Sequence, residues 1–280
     1  MGTLVLKSLS QAIKDNDHIY GVIKGTAVNA GGRTNGYTVP NPNAQYEVIS
    51  KTLKETNINP RTISYIEAHG TGTALGDPIE IKGLTKAYEE FGDEHQYCSI
   101  GSVKSNIGHL ESAAGVAAVT KVLLQLQHKQ LVPSIHSSVL NPFIDFKNTP
   151  FYVQHKLEAW KQPCVKGDNE QILYPRRAGI SAFGAGGANA HLIIEEYEEM
   201  QSNVETTNKE KLIFVLSAKN KERLKAYANK LNVFIKKHMC IADGVSDKDN
   251  VYLEQIEEAI KAVISQLTGI ERSEIQIEDI

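Results

Sequence analysis

The chain has 280 residues, 41% of them apolar, with 30 basic and 33 acidic side chains and a formal net charge of −3. That is the bulk of one or two ordinary globular domains with a sizeable core, and the balanced charge gives no electrostatic footprint for a nucleic acid or an anionic membrane surface. Cys98, Cys164 and Cys240 are scattered, which excludes a disulfide framework and a Cys-rich zinc site and fits a reducing compartment; with no spanning apolar run and no leader-like N-terminus, a cytoplasmic protein is predicted.

The chain opens with Leu4-Val5-Leu6 and a short segment over 8–14, then a strand over 19–28 marked by Tyr20, Val22 and Ile23. Residues 44–55 place Tyr46, Val48, Ile49 and Leu53 at helical spacing, and 63–67 reads as a short buried strand running into His69. Asp77-Pro78 predicts the start of a helix ending near Phe91, with Asp77 capping free N–H groups and Pro78 in the first helical position. Residues 97–103 form the next strand. After a loop comes a helix over 110–128, whose opening residues Ser112, Ala113, Ala114, Gly115, Ala117 and Ala118 are small enough for close backbone approach, which predicts a buried start.

Beyond Pro133 and Pro142, residues 150–153 and 177–183 read as strands, and 190–195 as a third across the glycine turn Gly184-Ala185-Gly186-Gly187. Over 196–211 the composition turns to Glu, Asn, Thr and Lys, marking a boundary. Past it lie a strand over 212–216, an amphipathic helix over 219–237 with Leu224, Tyr227, Leu231 and Phe234 on one face, a polar linker over 243–250, and a second amphipathic helix over 251–268.

His69 and His109 each lie in a stretch rich in Gly, Thr and Ser: Ile66-Glu67-Ala68-His69-Gly70-Thr71-Gly72-Thr73 and Ser102-Val103-Lys104-Ser105-Asn106-Ile107-Gly108-His109. Two imidazoles on such loops can stabilise an oxyanion and move a proton. Backbone N–H dipoles near a helix or turn start are expected to hold them neutral. Gly70, Gly72 and Gly108 leave room for a thin substrate, Thr71 and Thr73 offer hydroxyls to its amides, and Lys104 supplies a fixed positive charge. Two alternatives stay open from the residues: that both histidines are structural, and that His69, Asp77, His109 and His191 converge on a metal for hydrolysis, although no short helical His spacing or Cys-x-x-Cys supports it. A nucleotide site at Gly184-Ala185-Gly186-Gly187 is disfavoured, since that turn joins two strands.

Residues 67–73, 104–115 and 179–191 resemble the C-terminal half of a β-ketoacyl synthase. Asn35-Gly36-Tyr37-Thr38-Val39-Pro40-Asn41-Pro42-Asn43 and Ser181-Ala182-Phe183-Gly184-Ala185-Gly186-Gly187-Ala188-Asn189-Ala190-His191 narrow the likeness to ketosynthases of bacterial modular polyketide synthases, in the style of those with a separate acyltransferase. The resemblance spans about residues 3–196. It implies an α/β, thiolase-like layered fold, here its C-terminal half, followed by a small α/β linker segment and a C-terminal helix. It divides the chain into ketosynthase over 1–196, a post-ketosynthase linker over 197–240, and, over 241–280, a polar linker and helix that start an acyl carrier protein or form a docking element.

The resemblance further implies decarboxylative Claisen condensation between an acyl thioester and malonyl-acyl carrier protein. His69, His109 and Lys104 would be catalytic, and Thr71, Thr73, Asn106, Phe183 and Gly184 would bind substrate, with no metal. The phosphopantetheine arm of a carrier protein would bring the substrate, and no cofactor would be attached to this chain. A homodimer or a complementary N-terminal half would be the other partner. The family's nucleophile is a cysteine in a D-T-A-C-S-S type elbow, and Cys98, Cys164 and Cys240 lack those neighbours: Cys98 falls in a predicted strand, Cys164 in a loop, Cys240 beyond the first polar linker. The chain is therefore expected to be a fragment or a split product, inactive alone, with apolar surface exposed. The rival role is a non-catalytic docking or scaffold partner of another synthase chain.

Overall fold

The computed structural model describes residues 2–34, 36, 39–166, 171–198 and 216–239. The helices are α1 (Leu9–Lys14), α2 (Pro42–Thr56), α3 (Gly76–Glu89), α4 (Lys104–Ile107), α5 (Ala114–His128) and α6 (Lys221–Met239). The strands are β1 (Val22–Ala30), β2 (Tyr65–Glu67), β3 (Cys98–Gly101), β4 (Gln130–Leu131), β5 (Phe151–Val153), β6 (Glu158–Ala159), β7 (Cys164–Lys166), β8 (Gln171–Leu173), β9 (Arg177–Phe183) and β10 (Ala188–Glu195). The chain divides into two compact units, Met1–Ser202 and Asn203–Ile280.

The first unit is built on a six-stranded sheet in the order β1-β10-β9-β2-β3-β5. β1, β10 and β9 are mutually antiparallel, while β9, β2, β3 and β5 run parallel. Because side chains alternate across a strand, neighbouring residues serve opposite faces. Ile66, Ile100, Phe151 and Ile193 pack with Val48, Ile49 and Leu53 of α2 and Ile81, Leu84 and Tyr88 of α3. Tyr65, Ala178, Ile180 and Ile194 pack with Ala118, Val119, Val122 and Leu126 of α5 and with Trp160. The result is helix, sheet and helix in three layers.

Local chemistry sets the element ends. Asn41 caps α2 by accepting from the N–H groups of Asn43 and Ala44, Pro42 stands in its first turn, and Asn57 closes it in the left-handed conformation. Between β9 and β10 the turn is closed by Gly184 N–H to Ala188 O at 2.7 Å and Gly187 N–H to Gly184 O at 2.9 Å. Gly187 has φ +86°, which favours glycine.

Several expectations need correction. Asp77 does not cap α3: the helix starts at Gly76 with Leu75 as its N-cap, and Asp77 Oδ1 accepts from Gly72 N–H at 3.0 Å. β1 starts at Val22, not Ile19. Val103 is not in a strand but leads α4 in a helical conformation. The helix expected from Leu110 is broken: a 3-10 turn, Glu111–Ala113, precedes α5, and Glu111 takes φ +50°. Its start is only partly buried, with Ala114 and Ala118 inside and Glu111 and Ser112 exposed. Cys164 lies not in a loop but on β7, paired with Leu173 of β8.

In the second unit α6 agrees with the helix expected over 219–237; Asn220 accepts from Arg223 N–H at 2.9 Å through its side chain. Cys240, the helix over 251–268 and all but Leu216 of the strand over 212–216 lie outside the described residues. Among the described residues no helix is long and apolar enough to cross a membrane.

Candidate active site

Three adjacent parallel strands aim their carboxyl ends at one place, the position where open α/β sheets gather ligands. β2 leads to His69, β3 to Lys104 and His109, and β9 ends on Phe183. The His69 and His109 rings meet edge to face with centroids 5.4 Å apart, and the Phe183 ring lies 5.8 Å from that of His69.

Buried carboxylates hold the loops that carry these side chains. Glu80 accepts from His69 N–H at 2.7 Å and from Gly70 N–H at 2.8 Å. Glu67 accepts from Val103 N–H at 2.5 Å through one oxygen. Its other oxygen accepts from Lys121 Nζ at 2.8 Å and from Tyr65 OH at 2.7 Å. Gly70 has φ +46°, and a Cβ there would stand 2.8 Å from Ser102 Cβ, so the His69 loop can approach the Lys104 loop only with glycine.

His109 Nδ1 accepts from Glu111 N–H at 2.9 Å, which leaves the proton of the neutral ring on Nε2. The left-handed turn at Glu111 and φ +75° at Gly108 set up this contact. His69 Nδ1 is buried with no hydrogen-bond partner among the described residues. Burial, then the charge of Lys104, then His109, lower the His69 pKa to about 3. His69 is thus neutral as expected, but burial and a neighbouring cation account for it rather than backbone dipoles. Burial also lowers the Lys104 pKa, opposed by Glu80, Glu67 and Asp77.

The other expected residues divide. Thr71 and Thr73 are exposed, their hydroxyls 3.3 Å apart, and Thr73 Oγ1 accepts from Gly76 N–H. Gly184 is exposed in the β9–β10 turn. Asn106 opens instead on an apolar cavity of about 520 Å³ beside α5, lined by Val103, Ile107, Leu110 and Val116 but by neither histidine. His191 is buried elsewhere, Nδ1 3.0 Å from Ser181 Oγ, its pKa lowered to about 3 by burial. Among the described residues no group of three or more His, Cys, Asp or Glu is placed to hold a metal. The Cys98 thiol is buried and its pKa pushed up by burial, while Cys164 is exposed.

Glu80 and Lys121 were missed as parts of the site. Both break the apolar stripe of an inward helix face, Glu80 beside Ile81 and Leu84, Lys121 beside Ala118 and Val122. A charge in that position is the signal that could have found them.

A thiolase-like half, with two histidines and a lysine at the ends of parallel strands, is the class that fold and site define. Comparison with known proteins agrees: the β-ketoacyl synthase C-terminal domain matches residues 20–138, and the ketoacyl-synthetase C-terminal extension matches residues 141–270. The chain belongs to the β-ketoacyl synthases, as a C-terminal ketosynthase region of the bacterial modular polyketide synthase type.

Polyketide synthase PksL of Bacillus subtilis is 59% identical over 233 residues, 82% of this chain and 5% of that protein. A ketosynthase from module 6 of the bacillaene synthase of Bacillus subtilis 168 superposes with TM-score 0.70 at 38% identity, covering 94% of this chain and 46% of that one. An oxazolomycin ketosynthase domain of Streptomyces albus gives TM-score 0.70 at 43% identity, covering 84% and 40%. The chain therefore spans a small part of these curated relatives and less than half of the solved ketosynthases.

Proposed function

We propose that this chain supplies the histidine and lysine portion of a ketosynthase site for decarboxylative Claisen condensation of an acyl thioester with malonyl-acyl carrier protein. The observation that carries the reading is the edge-to-face meeting of His69 and His109 at 5.4 Å, with the first neutral and the second offering an Nε2 donor.

N–H donors from both rings bind the malonyl thioester oxygen. The C–C bond to the carboxylate breaks, CO2 departs, and the electron pair is held as an enolate by those donors, which gain strength as the oxygen becomes anionic. The enolate carbon then attacks the acyl thioester carbonyl, forming the new C–C bond and expelling the thiolate. Lys104 places positive charge near the departing carboxylate and the developing oxyanion. Thr71 and Thr73 bind the amides of a phosphopantetheine arm, Phe183 borders the acyl channel, and Gly184 completes the substrate-binding set.

The acylated cysteine comes from another segment: Cys98 is buried with its thiol pushed up, opposite to what a nucleophile needs, and neither Cys164 nor Cys240 has elbow neighbours. The partners are a carrier protein and a complementary N-terminal part or homodimeric mate, in a cytoplasmic assembly with a separate acyltransferase. Residues 1–196 are the ketosynthase part and 197–240 its linker. Within 241–280, the family match through residue 270 favours a ketosynthase extension over a carrier.

The test is co-expression with the nucleophile-bearing part of a ketosynthase. The reading expects acylation and condensation only in the complex, with decarboxylation and condensation, but not acylation, falling by about 10²-fold or more on His69→Ala or His109→Ala. A complex that assembles but never acylates would leave a non-catalytic scaffold.

A further inference from the structure

We infer that the apolar face of α6 is the docking surface for residues 251–268 of the same chain, which fold back on it as an acidic amphipathic helix.

α6 is covered along one side. Ala228 and Asn232 have 2% and 6% relative exposure, with Leu224 and Leu231 partly buried beside them, whereas Arg223, Ala226, Lys230 and Val233 are exposed. The four inward positions follow the spacing of a single helical stripe. A helix standing alone in water exposes its side chains on every side, so a second layer lies on this stripe. Within the second unit, Asn203–Ile280, α6 is the one helix or strand among the described residues. The layer therefore comes from another segment.

Residues 251–268, which lie outside the described residues, match the stripe in two ways. Their Ile256, Ile260, Val263, Ile264 and Leu267 recur at helical spacing and give an apolar face to set against Leu224, Ala228 and Leu231. Their charge is also complementary. Residues 219–230 hold five basic side chains against one acidic, Glu222, while residues 251–280 hold seven acidic against two basic, Lys261 and Arg272. Opposite charges on facing helices select the partner and its direction, and a return antiparallel to α6 sets Glu271 and Glu274, just past the segment, near the basic start of α6 at Lys219 and Arg223.

The chain is long enough for the turn. Residues 240–250 reach up to about 36 Å when extended, several times the roughly 8–10 Å between packed helix axes. At about 1.5 Å per residue the two helices match in length and cover one another end to end. The family match through residue 270 places both in one extension.

Hydrogen–deuterium exchange on the full chain tests the docking. Ile260→Asp puts a charge into the shared face, and the amides of residues 224–231 should then exchange about tenfold faster or more, with those of β9 and β10 unchanged. Should Ile260→Asp disturb the whole chain, the parent itself supplies a second measurement: methyl NOEs from Ala228 to Ile256, Ile260 or Ile264, persisting at the lowest concentration that NMR allows. Unchanged exchange of α6 in a folded Ile260→Asp chain, or no such NOE, overturns the inference and assigns the layer to another segment. NOEs that fade on dilution overturn it in favour of a second copy of the chain.

Discussion

Lys121 Nζ lies 2.8 Å from Glu67 Oε2 with both side chains out of water, at 9% and 0% exposure. The pair ties α5 to the end of β2, and the other Glu67 oxygen holds Val103 N–H next to Lys104. One carboxylate therefore joins the strand behind His69 to the turn that presents Lys104.

Removing one partner of such a pair strands a buried charge. Lys121→Met is expected to destabilise the first unit by about 3–5 kcal/mol, and Glu67→Gln with Lys121→Met to recover much of that loss. Urea unfolding of the two single variants and the double variant measures the coupling; additive effects would show that the pair does not interact.

The pH dependence of stability has opposing parts. His69 and His191 have pKa values lowered from 6.5 to about 3, so their contribution is present above pH 6.5 and is lost as pH falls toward 3. Glu80 has its pKa raised by burial from 4.5 to about 7, so its contribution is present below pH 4.5 and is lost as pH rises through 7. Between these bounds, unfolding takes up two protons on the histidines and releases one from Glu80. Among these three groups the net is one proton, a contribution of about 1.4 kcal/mol per pH unit to the rise in stability from 4.5 to 6.5. Glu80→Gln should steepen the measured slope by about 1.4 kcal/mol per pH unit, because the groups shared by the two chains cancel in the difference. Unfolding midpoints across the window check it, and an unchanged slope would show that Glu80 does not titrate there.

Gly70 carries a separate prediction. Gly70→Ala puts a Cβ 2.8 Å from Ser102 Cβ at φ +46°, and should cost about 1–3 kcal/mol in stability. Ser102→Gly in the same chain should restore only part, because it removes the close approach and leaves the backbone conformation. Thermal unfolding of the single and double variants separates the two contributions.

What was legible in the sequence was local or periodic. Val48, Ile49 and Leu53 announced α2, and Arg177–Phe183 with the glycine turn announced the β9–β10 hairpin. His69 and His109 stood out by neighbours that only a ligand or a tight turn requires. The misread residues have partners that spacing does not reveal. Asp77 reaches back to Gly72, Glu80 to His69, and Lys121 across the layers to Glu67. Glu111 breaks the expected helix by adopting the left-handed turn in which its N–H meets His109 Nδ1. Cys164 became a strand residue because β8 pairs with it, although neither segment shows strong alternation.

The contact between Glu111 N–H and His109 Nδ1 decides which replacements of His109 keep function under the proposed mechanism. The reacting oxygen needs a donor where Nε2 stands, and Gln carries an NH2 near that distance from the backbone. Asn is shorter and can at best replace Nδ1 as the acceptor for Glu111. In the nucleophile-complemented enzyme, His109→Asn should therefore lose about 10²–10³ in decarboxylation rate, the usual effect of deleting one oxyanion donor, while His109→Gln should retain clearly more. Single-turnover CO2 release from malonyl-carrier protein compares them without acyl transfer. Equal losses in the two variants would argue that His109 acts by moving a proton, a task neither amide can perform, rather than as a fixed donor.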